Sequence, residues 1–282
     1  MHTLSSFYNL YLSLKSNLLR FKTIEIHNSA QKYFLAATGD KLLSQYTLED
    51  VERFKNYCLV KKKSATTVNM YYRAMKSVFQ CAVNNEYLLK NPFRHSQQVK
   101  QAERKISFMQ KADIEKLLSV VKNETLKDLY LVACLTGLRL SEIVNLKWYQ
   151  VDFQASVIQV VNDETFQTKT GRNRVVPMHN LVISVLQKRK QIGEYVFNKG
   201  AYKYEASYVS RYFKRCVKDA KLNTELHFHS TRHSAASLLC ASGVSIFEIQ
   251  KILGHSSVNL TANTYSHLLP STLVNSVNKI QF

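Results

Sequence analysis

The sequence predicts a mostly helical α+β protein in two domains, with one small antiparallel sheet in the second. Three observations carry this. The 282 residues exceed a usual single domain and can supply two cores, with 45% hydrophobic side chains and only three prolines and seven glycines to break helices. Over the first third, apolar residues recur at spacings of three and four, the helical period. From Ser156 the pattern changes to β-branched runs around a glycine-containing turn, as paired strands require.

The elements follow in chain order. Phe7, Leu10, Tyr11 and Leu14 make the apolar face of a first helix. Thr47 opens another: a hydroxyl cap is followed by Glu49 and Asp50, where the helix dipole favours acids. Its apolar pattern runs through Val51, Phe54 and Cys58. Ser64 begins a long helical pattern through Leu89 that ends before Asn91–Pro92. Residues 1–95 therefore read as a helical domain, and residues 96–106, polar, basic and without apolar period, as a linker.

The second domain, 107–282, opens with a helix over 113–121. A leucine- and valine-rich helical segment, 126–146, follows and is interrupted at Gly137. A glycine there costs helix stability unless the backbone must turn or come close to something. Residues 156–162, then 165–169 and 174–178 around a glycine-containing turn, read as a short antiparallel sheet with a hairpin, with Lys169 just before the turn. From Asn180 the chain returns to helices through a basic, tyrosine-rich stretch to Lys221.

Charge narrows the function. Lysine and arginine outnumber the acids 39 to 20, a net +19, divided as +10 over residues 1–106 and +9 beyond. A solvated surface needs charge but not this imbalance, so both domains are expected to touch a polyanion. Lys61, Lys62, Lys63, Arg73 and Lys76 cluster around one helix start, where backbone amides also meet phosphates; the plainer reading is a solvated basic face. The five cysteines (Cys58, Cys81, Cys134, Cys216, Cys240) are scattered and flanked by apolar residues, which fits buried thiols in a reducing cytoplasm and no disulfide framework. No Cys-x-x-Cys pair supports a zinc ribbon. No apolar run spans a membrane, and Asn9, Ser13 and Lys15 interrupt any leader-like block, so no membrane partner and no signal peptide are expected.

The chemistry gathers near the C-terminus. His229 and Arg232 form a His-x-x-Arg pair, Leu253–Gly254–His255 follows, and Tyr265 stands ten positions after that histidine. Upstream, Arg139 follows the Gly137 break and Lys169 the second strand run. Breaking a phosphodiester without a metal needs a nucleophile, an acceptor for its proton, stabilisation of the crowded oxyanion and a proton for the leaving hydroxyl. Tyr265 can attack and keep the phosphoryl group as an ester, so the bond energy is retained for religation. Arg139 and Arg232 each offer a planar fork of donors to non-bridging oxygens, and such preplaced charge is generally the largest catalytic contribution. Arg139 can instead pair with Glu142 three residues on. His229, one turn before Arg232, is a candidate base, and His255 a further phosphate donor.

In order, approximate spacing, chain length and charge, these residues resemble the tyrosine recombinase family, the phage integrases and Xer-type enzymes. The likeness covers nearly the whole chain. Lys169, Gly171, Arg174 and Pro177 match the family's Lys-x-Gly-x-x-Arg-x-x-Pro pattern. The resemblance implies that Lys169 is the acid for the departing 5′ hydroxyl, that Glu142 is a structural partner of Arg139, and that the product is a 3′-phosphotyrosyl linkage. It further implies a SAM-like core-binding domain and a catalytic domain closing as a C-shaped clamp on a double-stranded recombination site. Four protomers would assemble on DNA by exchanging a C-terminal segment, for which 269–282 is long enough. No metal or other cofactor is implied, and accessory proteins are compatible with the scheme. Departures are modest: Ser230–Thr231 stand where Asp-Leu is more usual, Gln110 where a capping threonine is common, and the His255–Tyr265 interval is the longer of two.

The sequence also admits rival readings. His227, His229 and His233 could bind zinc, although Arg232 would repel a cation. A two-metal nuclease needs a carboxylate set, and the acids here are sparse. A type IB topoisomerase would use much the same residues without the tetramer. A non-catalytic basic DNA-binding regulator would leave Tyr265 without a chemical role. Within the family, integration or excision of a mobile element and Xer-like resolution stay open.

Overall fold

The computed structural model describes residues 2–102, 106–162, 173–200 and 202–254. They fall into two compact units, Met1–Arg104 and Lys105–Phe282.

The first unit is helical. Helix α1 (Leu4–Lys15) starts at Thr3, whose hydroxyl accepts from the Ser6 amide, and buries Leu4, Phe7, Tyr8 and Tyr11. Leu14, expected on that face, lies in the last turn and is exposed. Helix α2 (Phe21–Thr38) carries Phe34 into the centre, where its ring meets Tyr46, Phe54, Phe79 and Phe93 at centroid distances of 5.1–5.9 Å. Each such pair is worth about 0.5–1.5 kcal/mol beyond the area it buries. Helix α3 (Leu48–Val60) begins where the Thr47 amide and hydroxyl both donate to Asp50, as the sequence suggests.

Helix α4 (Ala65–Asn84) is capped by Ser64, which accepts from the Thr67 amide at 3.2 Å. It stops before the end of its sequence pattern. Glu86 takes a positive φ of 63°, the Tyr87 amide turns back to the Ala82 carbonyl at 2.8 Å, and Leu89 is left 95% exposed. The stretch read as linker starts inside this unit. Buried Asn69 pairs with both backbone groups of Val99 at 2.8 Å, Tyr72 donates to the Ser96 carbonyl and Lys55 to that of Gln97. An extended segment thus satisfies its polar groups on the α3–α4 surface.

The second unit wraps helix α6 (Glu124–Thr136), which buries Leu126, Leu129, Tyr130, Val132, Ala133 and Cys134. Helix α5 (Lys111–Val120) precedes it, its N-terminus tied by the Gln110 amide to Asp113 at 3.1 Å. After the short helix α7 (Leu140–Val144) comes an antiparallel sheet of β1 (Val151–Asp152), β2 (Val157–Val160) and β3 (Arg174–Pro177), in that order. The register sets Ile158 opposite Val176 and Val160 opposite Arg174. The expected antiparallel pairing is present between 157–160 and 174–177, whereas the run 165–169 and the turn at Gly171 lie outside the described residues; β1 adds a strand the sequence did not signal.

Helix α8 (Asn180–Lys188) is followed not by more helix but by a small hairpin, β4 (Asn198–Lys199) with β5 (Tyr202–Lys203). Gly193 and Gly200, both at positive φ, turn the chain away from helical geometry here. Helix α9 (Ala206–Asp219) then packs Phe213 edge-on to Tyr130, whose hydroxyl donates to the Val209 carbonyl at 2.9 Å. Helix α10 (Ser230–Ala241) lies on α6, and α11 (Ile246–Leu253) closes a smaller cluster of Ala236, Cys240, Ile249 and Leu253. All five cysteines are buried thiols. Among the described residues, no helix is long and apolar enough to cross a membrane.

Candidate active site

The site is built on the break at Gly137. Helix α6 ends there with φ 66°, which favours glycine, and a Cβ would stand 2.4 Å from the Leu253 Cδ2, so a larger residue would have to displace that side chain at the end of α11. Both causes the sequence left open, a turn and a close approach, act together. The break leaves Arg139 at the start of α7, where its amide donates to Glu142 Oε2 at 2.8 Å.

The last carbonyls of α11 lack helical partners, and arginines take them. Arg174 Nε donates to the Ile252 carbonyl at 3.1 Å, Arg232 Nη2 to that of Leu253, and Arg139 Nη2 to that of Gly254 at 3.2 Å. Arg232 also reaches the Gly137 carbonyl through Nη1 at 2.9 Å. The negative end of a helix dipole favours cations, so one helix end collects three guanidinium groups from three distant segments. Arg232 is 2% exposed, set among buried Ser230, Thr231 and Ser234, while the Arg139 side chain remains 17% exposed.

One carboxylate balances them. Glu142 accepts from Arg139 Nη1 and Arg174 Nη1 on Oε1, both at 2.8 Å, and from Arg174 Nη2 on Oε2 at 2.7 Å. Burial alone would raise its pKa, but the hydrogen bonds and charge of Arg174, then Arg139, outweigh it and hold the pKa at about 2. Among the described residues, three arginines gather around one ionised glutamate, an excess of positive charge that suits a phosphate ligand.

His229 precedes α10 and is exposed on its surface. The protein packed around its ring disfavours the imidazolium, and His233, Arg232, His227 and Arg139 add repulsion, lowering the pKa to about 4. Water on the exposed side weakens the effect without changing its sign. A neutral imidazole within the field of both arginines can accept a proton at pH 7. Its ring lies edge-on to His233 at 5.0 Å, whereas His227 turns to the Glu225 carbonyl and Ser230 hydroxyl. Among the described residues no three His, Cys, Asp or Glu side chains form a metal-ligand set.

The structure therefore brings Arg139, Arg232 and His229 together. Lys169, His255 and Tyr265 lie outside the described residues. Arg174, five positions beyond Lys169, belongs to the Lys-x-Gly-x-x-Arg-x-x-Pro pattern, in which the sequence gives it no role; its partners, Glu142 and the Ile252 carbonyl, are distant in sequence.

In the first unit the five basic residues divide, with Lys61, Lys62 and Lys63 just after α3 and Arg73 and Lys76 on α4. Lys61 and Lys63 sit over the Tyr57 and Tyr33 rings at 5.4 and 5.1 Å, beside a notch of about 160 Å³. Arg73 and Lys76 lie further along α4 with Lys15, Gln80 and Asn84, lining a cavity of about 660 Å³. They are not at the helix start, because positions nine and twelve beyond Ser64 lie roughly 13–18 Å along the axis.

Both units match known protein families. Residues 107–271 match the phage integrase family, and residues 3–101 match the phage integrase SAM-like domain. The chain belongs to the phage integrase family of tyrosine recombinases. It is 27% identical to tyrosine recombinase XerC of Pediococcus pentosaceus over 87% of this chain and 86% of that one. To the ICEBs1 integrase of Bacillus subtilis it is 27% identical over 91% of this chain and 75% of the other. In fold it is similar to the Tn1549 transposon integrase in complex with a circular intermediate DNA (TM-score 0.83, 20% identity, 99% and 100% of the two chains). It is also similar to a lambda integrase dimer bound to a core site (TM-score 0.79, 22% identity, 93% and 95%).

Proposed function

We propose that this tyrosine recombinase, a site-specific DNA strand-exchange enzyme, cleaves and rejoins DNA through a 3′-phosphotyrosyl intermediate on Tyr265. The observation that carries the reading is the joint seating of Arg139 and Arg232 on the end of α11, beside a neutral His229. In the proposed step the Tyr265 oxygen forms a bond to phosphorus as the bond to the 5′ oxygen breaks. His229 takes the phenol proton, and Lys169 gives one to the departing 5′ oxygen, which leaves as a hydroxyl. Arg139, Arg232 and His255 donate to the non-bridging oxygens, where charge accumulates. Religation reverses each transfer, so no nucleotide cofactor or metal enters the scheme.

The basic residues of the first unit, Lys61, Lys62, Lys63, Arg73 and Lys76, would hold the duplex through its phosphates. Four protomers would assemble on the crossing strands by passing the C-terminal segment between neighbours. The biological setting would be integration and excision of a mobile element or Xer-like resolution, in a reducing cytoplasm.

The test is covalent trapping. Purified protein is mixed with labelled duplexes from the DNA flanking its own gene, in chelator, and run under denaturing conditions. The reading expects a protease-sensitive adduct with the wild type and none with Tyr265→Phe, which should still bind. Tight binding with no adduct on any duplex favours a DNA-binding regulator, and cleavage only when metal is restored overturns the mechanism.

A further inference from the structure

We propose that Arg174 is a positioning residue for strand cleavage: it fixes Arg139 through Glu142 and holds the end of α11, without itself touching DNA. The proposal rests on the recombinase reading above.

Arg174 differs from its neighbours in how its donors are used. Nη1 and Nη2 grip the two oxygens of Glu142 at 2.8 and 2.7 Å, and Nε holds the Ile252 carbonyl at 3.1 Å. All three nitrogens thus face protein, and the side chain is 10% exposed. Arg139 engages Nη1 and Nη2 with Glu142 and Gly254, keeps Nε outside those bonds and is more exposed at 17%. Of the two guanidinium groups on this carboxylate, Arg139 is the one built to reach a ligand.

Packing supports the same division. Gly254 has φ 67°, and a Cβ there would lie 2.6 Å from Arg174 Cδ and 3.1 Å from its Nε. The arginine stem therefore fills space that only glycine leaves beside the helix end. Arg174 acts as a wedge between Glu142 and α11, while Glu142 holds both the amide and the guanidinium of Arg139. A lysine cannot replace it, because one ammonium cannot point donors at two carboxylate oxygens and a carbonyl in a fixed fork.

The experiment compares Arg174→Lys and Arg174→Gln with the wild type in the full chain, by single-turnover cleavage of a duplex that the wild type cleaves. The expected result is a rate constant lower by roughly 10- to 100-fold at full amplitude. DNA affinity and its salt dependence should be unchanged. Loss of amplitude with the rate constant intact would mean a merely structural role and overturn the proposal. A salt slope smaller by about one would mean a direct phosphate contact and also overturn it. Should either variant fail to fold, Arg174→Gln paired with Glu142→Gln removes the uncompensated buried carboxylate and must still cleave slowly at full amplitude. An arm independent of cleavage follows the Arg139 Nε–H order parameter by NMR, which should fall in Arg174→Gln; an unchanged value sinks the proposal. If the wild type forms no adduct, the recombinase reading fails and this NMR arm still decides the role of Arg174.

Discussion

Arg174 grips Glu142 from 32 residues further along the chain, with Nη1 on Oε1 at 2.8 Å and Nη2 on Oε2 at 2.7 Å. The contact joins β3 to α7 and thereby to Arg139, whose own guanidinium shares Oε1. A buried carboxylate held by two arginines is stable only as a complete unit.

That unit makes stability depend on pH. The Glu142 pKa falls from 4.5 to about 2 on folding, so the unfolded chain binds more protons between those values. Its contribution is complete above pH 4.5 and is lost as pH falls toward 2, on the order of 3 kcal/mol in all. Glu142→Gln should remove this acid-labile part and flatten the urea midpoint between pH 5 and pH 3. A midpoint with the wild-type slope over that range contradicts the assignment. At pH 7 Glu142→Ala should cost about 3–5 kcal/mol, because two guanidinium groups lose their counter-charge.

Gly137→Ala tests the close approach. The added methyl meets the Leu253 side chain at 2.4 Å in a backbone conformation that favours glycine. The variant should be destabilised by about 1–3 kcal/mol and should lose cleavage more than DNA affinity, since α11 carries the carbonyls that seat the arginines. Thermal unfolding and band-shift titration measure the two effects. An unshifted melting temperature would show that the helix end is not packed as described.

His229 should be neutral at physiological pH. Its pKa is lowered on folding from 6.5 to about 4, so the unfolded chain binds more protons across that window and stability falls as pH drops from 6.5 toward 4. For cleavage, the acid limb of the rate profile should lie below pH 6.5, and His229→Gln should lower the plateau by roughly 10²–10⁴-fold. An acid limb above 6.5 would mean an imidazolium held by a partner, against the positive surroundings of the ring.

How much of this was legible in the sequence differs by residue. Arg139 stood out because it follows the break at Gly137, which interrupts an apolar helix, and Arg232 because it stands one turn after His229 in a His-x-x-Arg pair. Arg174 did not, because its role depends on a partner far along the chain and on the register that sets it opposite Val160. The two-residue strands β1, β4 and β5 are too short to show a period. The end of α4 was masked by apolar Leu88 and Leu89, which continue the pattern after the positive φ of Glu86 has stopped the helix.

Lys169 can be tested through its leaving group. Replacing the bridging 5′ oxygen of the cleaved phosphate by sulfur yields a thiolate, which departs without a proton because thiols are far stronger acids than alcohols. Lys169→Ala should cleave the oxygen substrate slowly and the sulfur substrate at nearly the wild-type rate. Equal loss on both would assign the lysine to phosphate binding.

The most direct measurement is to identify the amino acid joined to DNA. The wild-type adduct formed in chelator would be digested with nuclease and protease and sequenced by mass spectrometry. The account predicts a nucleotide 3′-phosphate carried on Tyr265. A nucleotide on another side chain, or one attached through its 5′ end, would contradict it.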